Sequence, residues 1–352
     1  MDTQKLSQAQ ELLEKLIAIP SFSRNEESVA DALQQHIEEC GIECYRSGNN
    51  VWCVSPAFDE HKPTLLLNSH LDTVKPVAGW QHDPFEPTLE GERLYGLGSN
   101  DAGGCVVSLL ETFRTLTKEP QPYNLIFLAS CEEEVSGTGG VEAILPKLPP
   151  IACAIVGEPT GMQPAIAEKG LMVIEGTAHG KSGHAAREEG INALYIAIED
   201  IEKIRNYTFE KVSPLLGPVK ATVTMIEAGT QHNVVPDRCS FVVDVRSNEF
   251  YSNQEIFHTL QGVVTSSLKE RSFRLNSSTI DTGHPLVRRA IALGKQPYGS
   301  PTLSDQCLMP FPTLKMGPGE SSRSHTADEY ITLPELEQGL QGYLELLDGL
   351  VL

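Results

Sequence analysis

Histidines and carboxylates recur directly after short apolar segments of this chain, in positions where they could bind a metal ion together. One such group follows the apolar segment 64–68, and three others follow the segments 124–129, 151–156 and 313–316. Carboxylate oxygens combined with imidazole nitrogens form a ligand set that suits zinc, cobalt or manganese. These side chains, with a further acid in GLGSND just before a predicted helix, are His70, Asp72, Asp101, Glu132, Glu133, Glu134, Glu158 and His325.

Two of these groups are more informative than the others. His70 and Asp72 are two residues apart, so in extended backbone they share a face, and a carboxylate there can fix the imidazole tautomer and leave the other nitrogen for a metal. The three acids at 132–134 follow an apolar strand, and adjacent carboxylates repel one another unless a cation is present. Taken alone, Glu158 is also compatible with a loop acid, and His325 with a surface histidine.

The elements that must position these side chains alternate between strand and helix. Short apolar runs indicate buried strands, and apolar residues at helical spacing indicate helices. Such alternation predicts a mainly parallel α/β sheet, in which ligands bind beyond the carboxyl ends of the strands. The predicted strands are 64–68, 124–129, 151–156 and 313–316, and the predicted helices are 4–18, 26–40, 102–117, one near 286 and one from Pro334.

The pattern changes near residue 171, where strands and helices follow in the order β-α-β-β-α-β of a ferredoxin-like domain. A chain of 352 residues also exceeds the ~250–300 residues at which single cores usually stop growing. We therefore expect an inserted domain at 171–279 and a catalytic domain made of 1–170 and 280–352. The elements predicted in the insertion are strand 171–178, helix 190–205, strands 219–227 and 239–246, helix 253–269 and strand 272–277.

Composition excludes several classes of partner. Acidic residues outnumber basic ones 47 to 27, and the formal charge of −20 disfavours binding to nucleic acid or to an anionic membrane. The N-terminal segment lacks the basic start and apolar run of a signal peptide, and no apolar run approaches the ~18 residues of a membrane span. Eight cysteines without a C-x-x-C pair predict free thiols in a reducing cytoplasm.

Six segments occur in order along the chain: SHLDTV, GLGSNDAGG, EEEVSGTGG, GEPT, GKSGHAA and SRSHTADE. With them the chain resembles, over nearly its whole length, the dinuclear zinc amidohydrolases that include acetylornithine deacetylase, succinyl-diaminopimelate desuccinylase, aminoacylase and related carboxypeptidases. The resemblance implies that the inserted ferredoxin-like domain serves as a lid or dimerisation domain, and that the protein is a homodimer.

The resemblance also implies a role for each site residue. Two divalent metal ions, zinc with cobalt or manganese as alternatives, would share Asp101 as a bridging ligand. Glu133 would be the general base that moves a proton from a shared water to the leaving amine, and Asp72 the partner of His70. His184 would stabilise the oxyanion in a neighbouring subunit's site. The remaining implied ligands are His70 with Glu158 and Glu134 with His325, and the implied substrate-binding residues are Asn233, Arg246 and Arg187.

The function implied by the resemblance is hydrolysis of the amide of a small N-acyl amino acid with water, such as N-acetyl- or N-succinyl-ornithine or -citrulline in arginine biosynthesis. A dipeptidase or aminopeptidase of the same family, and a non-catalytic binding protein on the same fold, are the alternatives. Three positions depart from the family pattern. Leu97 stands where Arg is common, Gly103 where Lys is common, and Arg187 where a small residue precedes Pro. Arg187 is therefore either a surface charge or a contact for a substrate carboxylate.

Overall fold

The structure is a computed structural model that describes residues 3–352, so the first two residues of the predicted catalytic domain lie outside the described range. The chain forms two compact units. The first contains the residues up to Ile166 with Ile280–Tyr298 and Ser304–Leu352, and the second contains Ala167–Thr279 with Gly299–Leu303. In the described part of the chain no helix is both long and apolar enough to cross a membrane.

The first unit begins with two helices and an antiparallel strand pair, after which strands and helices alternate. Two irregular turns, Ser99–Gly103 and Glu133–Val135, interrupt this alternation. The predicted helix 102–117 accordingly begins only at Gly104, because Asp101 and Ala102 have non-helical backbone angles. The elements are α1 Thr3–Ile17, α2 Glu27–Glu39, β1 Cys44–Ser47, β2 Asn50–Val54, β3 Thr64–His70, β4 Thr88–Glu90, β5 Arg93–Tyr95, α3 Gly104–Leu116, β6 Asn124–Ser130, α4 Val141–Ile144, β7 Cys153–Val156 and β8 Ala165–Glu168.

The second unit has the β-α-β-β-α-β order expected from the sequence, with three very short strands added. Its four long strands, β11 (Lys220–Ala228), β13 (Arg238–Arg246), β9 (Met172–His179) and β14 (Ser267–Glu270), form in that order a sheet that is antiparallel throughout. Apolar residues of the helices α5 (Ala193–Asn206) and α6 (Asn253–Val263) pack against it. Asn192 caps α5, and a capping box of Ser252 and Glu255 begins α6. The elements are β9 Met172–His179, β10 Gly183–His184, α5 Ala193–Asn206, β11 Lys220–Ala228, β12 Val234–Val235, β13 Arg238–Arg246, α6 Asn253–Val263, β14 Ser267–Glu270 and β15 Ser278–Thr279.

The predicted end of this unit was wrong in two elements. Helix α6 ends at Val263 and not at 269, and the following strand is Ser267–Glu270 and not 272–277. The buried carboxylate of Asp200 accepts the backbone N–H groups of Thr265 and Ser266, at 3.0 and 2.7 Å, and so ends the helix. This contact joins residues 65 and 66 positions apart, which local periodicity does not reveal.

The chain then completes the first unit and its central sheet. With β17 (Thr313–Lys315), the sheet of this unit has the order β1-β2-β6-β3-β7-β17-β8, and its inner strands β6, β3, β7 and β17 are parallel. The flanking strands β2 and β8 pair antiparallel with it, so a mainly parallel α/β sheet is confirmed. The last elements are α7 Pro285–Ala292, β16 Tyr298–Ser300, β17 Thr313–Lys315, β18 Tyr330–Thr332 and α8 Leu333–Leu347.

Both faces of the central sheet are buried. Along β3, Leu65 and Leu67 pack into the larger core with α1, α2, α3 and α8, whereas Leu66 packs on the opposite face with Val141 and Ile144 of α4. Burial on both faces explains why these strands are continuous apolar runs without alternation. The polar side chains at the strand ends therefore lie on a rigid edge.

Candidate metal centre

Four neighbouring parallel strands of the first unit end at the same edge of the sheet. His70 is the last residue of β3 and lies in register with Ser130, the last residue of β6. Strand β7 ends two residues before Glu158, and β17 ends before the Gly-Pro-Gly turn that leads to His325. The fold thus brings the predicted ligands to one place.

One group of potential ligands, which we call the buried half-site, consists of His70, Asp101 and Glu158. One ligand atom from each residue lies within 4.8 Å of the others. His70 Nε2 is 3.2 Å from Asp101 Oδ1 and 3.9 Å from Glu158 Oε1. The His70 side chain is only 2% exposed, and those of Asp101 and Glu158 are 11% and 14% exposed. These atoms could surround one cation largely shielded from water.

The second group, the open half-site, consists of Asp101, Glu134 and His325, again with ligand atoms within 4.8 Å. His325 Nε2 is 3.0 Å from Glu134 Oε2 and 3.8 Å from Asp101 Oδ2. The His325 side chain is 52% exposed, in contrast to His70. Asp101 therefore presents Oδ1 to the buried half-site and Oδ2 to the open one, which is the geometry of a carboxylate that could bridge two cations.

Asp72 connects the two half-sites in a way that differs from the sequence-based expectation. Its backbone carbonyl accepts a hydrogen bond from His70 Nδ1 at 2.8 Å, whereas its carboxylate Oδ1 is 3.6 Å from the same nitrogen. A carbonyl can only accept, so Nδ1 carries a proton, and Nε2, which faces Asp101 and Glu158, is the nitrogen left for a metal. The Asp72 carboxylate instead accepts the backbone N–H groups of Glu133 and Glu134 at 3.0 and 3.1 Å.

The turn that carries Asp101 is held by a second buried carboxylate. Glu329 is 2% exposed, and its Oε1 accepts the backbone N–H groups of Asn100 and Asp101 at 3.0 and 2.9 Å. Burial, reinforced by the charge of Asp101, raises the pKa of Glu329 to about 8. The irregular turn Ser99–Gly103 is thereby fixed by a side chain more than 200 residues away.

Burial and the neighbouring carboxylates raise the pKa values of several proposed ligand groups and of Glu133. Burial raises the pKa of Glu133 well above its usual range and that of Glu158 to about 8. The hydrogen bond to Glu134 raises the pKa of His325 to about 9. Burial lowers the pKa of His70, but the carboxylates of Asp101 and Asp72 outweigh it and the net direction is upward. Clustered acids that retain protons can lose them to water when divalent cations bind in their place, so this donor set fits two such ions.

Sequence reasoning missed four residues that support the site. Asp305 is buried and accepts hydrogen bonds from Ser130 Oγ at 2.7 Å and Asn68 Nδ2 at 3.1 Å, and burial raises its pKa to about 6. Ser23 Oγ donates to the Asp72 carboxylate at 2.7 Å. Glu329 could have been suspected from its place in SRSHTADE, but nothing in the local pattern distinguishes the others. The missed residues are Ser23, Glu26, Asp305 and Glu329.

The remaining predicted site residues all belong to the second unit. His184 is exposed in the short strand pair β10–β12, where its Nδ1 accepts the N–H of Ala186 at 3.1 Å. Asn233 and Arg187 are its neighbours, since the Asn233 carbonyl accepts the N–H of Ala185 and the His184 carbonyl accepts that of Arg187. Arg246 ends β13 and donates to Asp244 at 2.8 and 3.1 Å. His184, Asn233 and Arg187 thus lie together at one edge of this unit.

Two departures from the family pattern lie within the core of the first unit. Leu97 is 5% exposed and lines a cavity of about 20 Å³ together with Leu13, Leu16 and His70. A Cβ at Gly103 would lie 2.6 Å from the Gly98 carbonyl oxygen and 2.8 Å from a Leu13 methyl group. Leu97 therefore contributes to apolar packing, and position 103 has no room for a side chain.

Comparison with known proteins identifies relatives of the whole chain. A family model described as Peptidase family M20/M25/M40 matches residues 66–349. An acetylornithine deacetylase of Pectobacterium carotovorum is 28% identical over 359 residues, covering 91% of this chain and 92% of that protein. The crystal structure of aminopeptidase PepT from Bacillus cereus has a TM-score of 0.78 at 19% identity, covering 97% and 98% of the two chains. Bacillus subtilis YXEP, a dinuclear metal binding peptidase from the M20 family, has a TM-score of 0.76 at 17% identity, covering 98% of each chain. The two structures share this fold.

Proposed function

The chain belongs to the M20/M25/M40 peptidase family of hydrolases, and from that premise we propose that it is a metal-dependent deacylase of small N-acyl amino acids. The observation that carries the proposal is the pair of half-sites sharing Asp101, with Glu133 next to a ligand of one of them. The relative named acetylornithine deacetylase supports an acyl amino acid as the substrate class. The products would be acetate or succinate and ornithine or citrulline, in a step of arginine biosynthesis.

Two divalent cations would be held by five side chains of the first unit. His70 and Glu158 would hold one, Glu134 and His325 the other, and Asp101 both, as their distances allow. When bound, such a pair polarises the amide carbonyl and lowers the pKa of a shared water. Zinc is the metal we propose first, with cobalt and manganese as alternatives suited to the same oxygen and nitrogen donors.

Glu133 would move the proton. Its backbone N–H is fixed by Asp72, and its carboxyl belongs to the same turn as the ligand Glu134 without being part of either half-site. Burial raises its pKa well above the usual range, which brings a carboxyl closer to the pKa that a general base at neutral pH requires. Glu133 would take a proton from the attacking water and later deliver it to the departing amine.

Substrate recognition is proposed for residues of the second unit. His184 would donate to the developing oxyanion, and Asn233 and Arg246 would bind the substrate carboxylate. Arg187 would contribute a further charge, since it is exposed and close in the chain to His184. Alanine at each position should raise KM or lower kcat without changing metal content, in contrast to alanine at the proposed metal ligands.

A panel of substrates tests the proposed reaction. The purified enzyme, loaded with Zn²⁺ or Co²⁺, should release ornithine or citrulline from N-acetyl or N-succinyl derivatives, and a chelator should abolish this activity. If the loaded enzyme releases neither amino acid from any acyl derivative, the proposed substrate is wrong.

An aminopeptidase or dipeptidase is the second candidate, favoured by the structural similarity to aminopeptidase PepT. It would act on dipeptides or tripeptides with a free α-amine and would leave N-acetylated analogues intact. Including both kinds of substrate in one panel separates the two reactions. If neither the N-acyl amino acids nor the peptides are hydrolysed, the result would instead support the third alternative, a non-catalytic binding protein on the same fold.

We also propose that the protein forms a homodimer through its second unit. Its outer strand β11 has a hydrogen-bonded neighbour on one side only among the described residues, and Met225 and Ile226 on it are 65% and 51% exposed. Tyr195 and Ile198 of the adjacent helix α5 are exposed as well. Edge strands and apolar patches of this kind are common pairing surfaces. Met225→Lys should shift the dimer to monomer in sedimentation experiments.

Complementation would reveal which subunit His184 serves. The variants His184→Ala and Glu133→Gln should each be nearly inactive alone. If His184 acts on the partner's site, a mixed dimer of the two variants contains one complete site and regains activity. If mixed dimers form and stay inactive, His184 acts within its own chain and the proposed exchange is wrong.

A further inference from the structure

The turn that carries Glu133 is fixed by side chains from other parts of the chain. After β6 ends at Ser130, four successive backbone N–H groups each donate to a side-chain oxygen and none continues the sheet. We call residues 131–134 the base turn. The donor and acceptor pairs are Cys131 with Asn50 (3.2 Å), Glu132 with Glu26 (3.1 Å), Glu133 with Asp72 (3.0 Å) and Glu134 with Asp72 (3.1 Å).

The base turn needs these acceptors because its own sequence does not favour its shape. Glu132 has a φ of 57°, in the left-handed region that residues with a side chain avoid. Its side chain lies under the loop that follows, where a Cβ at Gly137 or Gly139 would collide with the Glu132 carboxylate. An unusual backbone of this kind persists only where the surroundings determine it.

Glu26 supplies the acceptor at the most strained residue of the turn. It is fully buried, and its Oε1 accepts the N–H groups of both Glu132 and Arg24, the latter at 2.7 Å. Its Oε2 accepts Asn49 Nδ2 at 2.9 Å. Three donors therefore fix the Glu26 carboxylate, and a carboxylate so fixed is a rigid support for the Glu132 amide.

We infer that Glu26 is a positioning residue, which orients Glu133 and Glu134 through the backbone amide of Glu132. It does not belong to either half-site, and it lies in the loop before α2, far from the ligands in sequence. Removal of the carboxylate leaves the half-buried Glu132 N–H without its partner and frees a backbone conformation that is unfavourable by itself. The kinetic part of this inference rests on the proposed role of Glu133, whereas the part that concerns the backbone does not.

Hydrogen exchange of the metal-free protein tests the backbone part directly. In Glu26→Ala the amides of residues 131–134 should exchange at least about tenfold faster than in the parent, because a local opening becomes less costly. Glu26→Gln keeps an acceptor oxygen and should restore most of the protection. Leu33→Ala, which removes a fully buried side chain from the helix that follows, is the matched control and should leave the base turn protected.

Kinetics of the metal-loaded variants test the consequence. Glu26→Ala should lower kcat about 10- to 100-fold with little change in KM, because a displacement of about 1 Å at a reacting group can cost about 10²-fold. Glu26→Gln should recover most of kcat, and Leu33→Ala should keep the parent kcat per folded molecule. If Glu26→Ala does not fold, Glu26→Asp replaces it, since the shorter side chain withdraws the carboxylate from the Glu132 amide.

Protection and kcat that equal the parent's in a folded Glu26→Ala or Glu26→Asp protein would overturn the inference. Loss of both in Leu33→Ala as well would also overturn it, because the effect would then be general destabilisation. If the parent hydrolyses no substrate of the panel while Glu26→Ala still loosens the base turn, the positioning role stands and only the proposed function fails.

Discussion

The two half-sites share Asp101 but are built differently. In the buried half-site His70 is 2% exposed and ends a strand that is paired on both sides, so its position follows from the sheet. In the open half-site His325 is 52% exposed and has a φ of 61° in a loop, and Glu134 belongs to the base turn. His70 is therefore positioned by regular structure, whereas Glu134 is positioned by individual hydrogen bonds.

This difference indicates a division of labour. A cation in the buried half-site would be shielded from water and exchange slowly, whereas one in the open half-site would be accessible to solvent and to a substrate carbonyl. Asp72 links the two, because its carbonyl orients His70 while its carboxylate holds the amides of Glu133 and Glu134. We therefore expect the two ions to bind with different affinities and Asp72 to affect both.

The largest effect on activity is expected from Glu133, the proposed proton-transfer residue, which belongs to neither half-site. Glu133→Gln removes the proposed base and leaves all five potential ligands, so kcat should fall by about 10²–10⁴-fold, the range typical of general acid–base groups. Metal content, measured by atomic emission, should stay at the parent level. If the variant is as active as the parent, Glu133 is not the base.

Alanine variants of the two histidines test the division itself. His325→Ala should lose the ion of the open half-site and keep the other, so a titration with Co²⁺ should end at one ion per chain. His70→Ala should weaken binding of the ion in the buried half-site. The loss of affinity should exceed the ~10–100-fold that is typical when a residue that only hydrogen-bonds to a ligand is removed. Equal stoichiometry and affinity in the two variants would show that burial does not distinguish the half-sites.

A smaller effect is expected for the residue that links them. Asp72→Asn keeps the carbonyl that orients His70, but its side chain has one acceptor oxygen, whereas the carboxylate uses Oδ1 for the Glu133 N–H and Oδ2 for the Glu134 N–H. Binding of the open half-site ion should weaken by about 10–100-fold, while that of the buried half-site changes less. Ser23→Ala removes only one donor to Asp72 and serves as a mild control. If the affinities of both ions fall equally, His70 is oriented by the Asp72 carboxylate and not by its backbone carbonyl.

The positions of three proposed ligands could be predicted from sequence because these residues follow strands. The apolar runs before His70, Glu134 and Glu158 mark parallel strands, and parallel strands end at one edge of the sheet. The positions of these residues follow from that rule, while their roles as ligands remain proposals.

The supporting residues could not be predicted, because their partners are distant in sequence. Glu26 is 106 residues from Glu132, and Asp305 is 237 residues from Asn68. For the same reason the end of α6 was misplaced, since Asp200 determines it from another helix. Local pattern specified which elements exist, and tertiary hydrogen bonds specified where the irregular turns between them lie.

The smallest expected effect concerns the pH dependence of the metal-free protein. Burial raises the pKa of Glu158 to about 8, so in the absence of metal the folded state holds a proton that the unfolded state has already released above pH 4.5. Glu158 therefore stabilises the fold fully below its ordinary pKa, and this contribution is lost as the pH rises towards 8.

Glu329, whose pKa is also raised to about 8, adds to the same slope. The Tm of the metal-free protein should thus fall between pH 5 and 8, by roughly 2–4 °C for each kcal/mol lost in a domain of about 150–250 residues. Glu158→Gln should flatten the slope, because its amide does not titrate. Bound Zn²⁺ should reverse the sign, since the cation binds the deprotonated ligands and its affinity rises with pH. If the Tm of the metal-free protein instead rises from pH 5 to 8, the buried half-site tolerates its negative charge without a cation. The two half-sites would then differ only in how accessible they are to solvent and substrate.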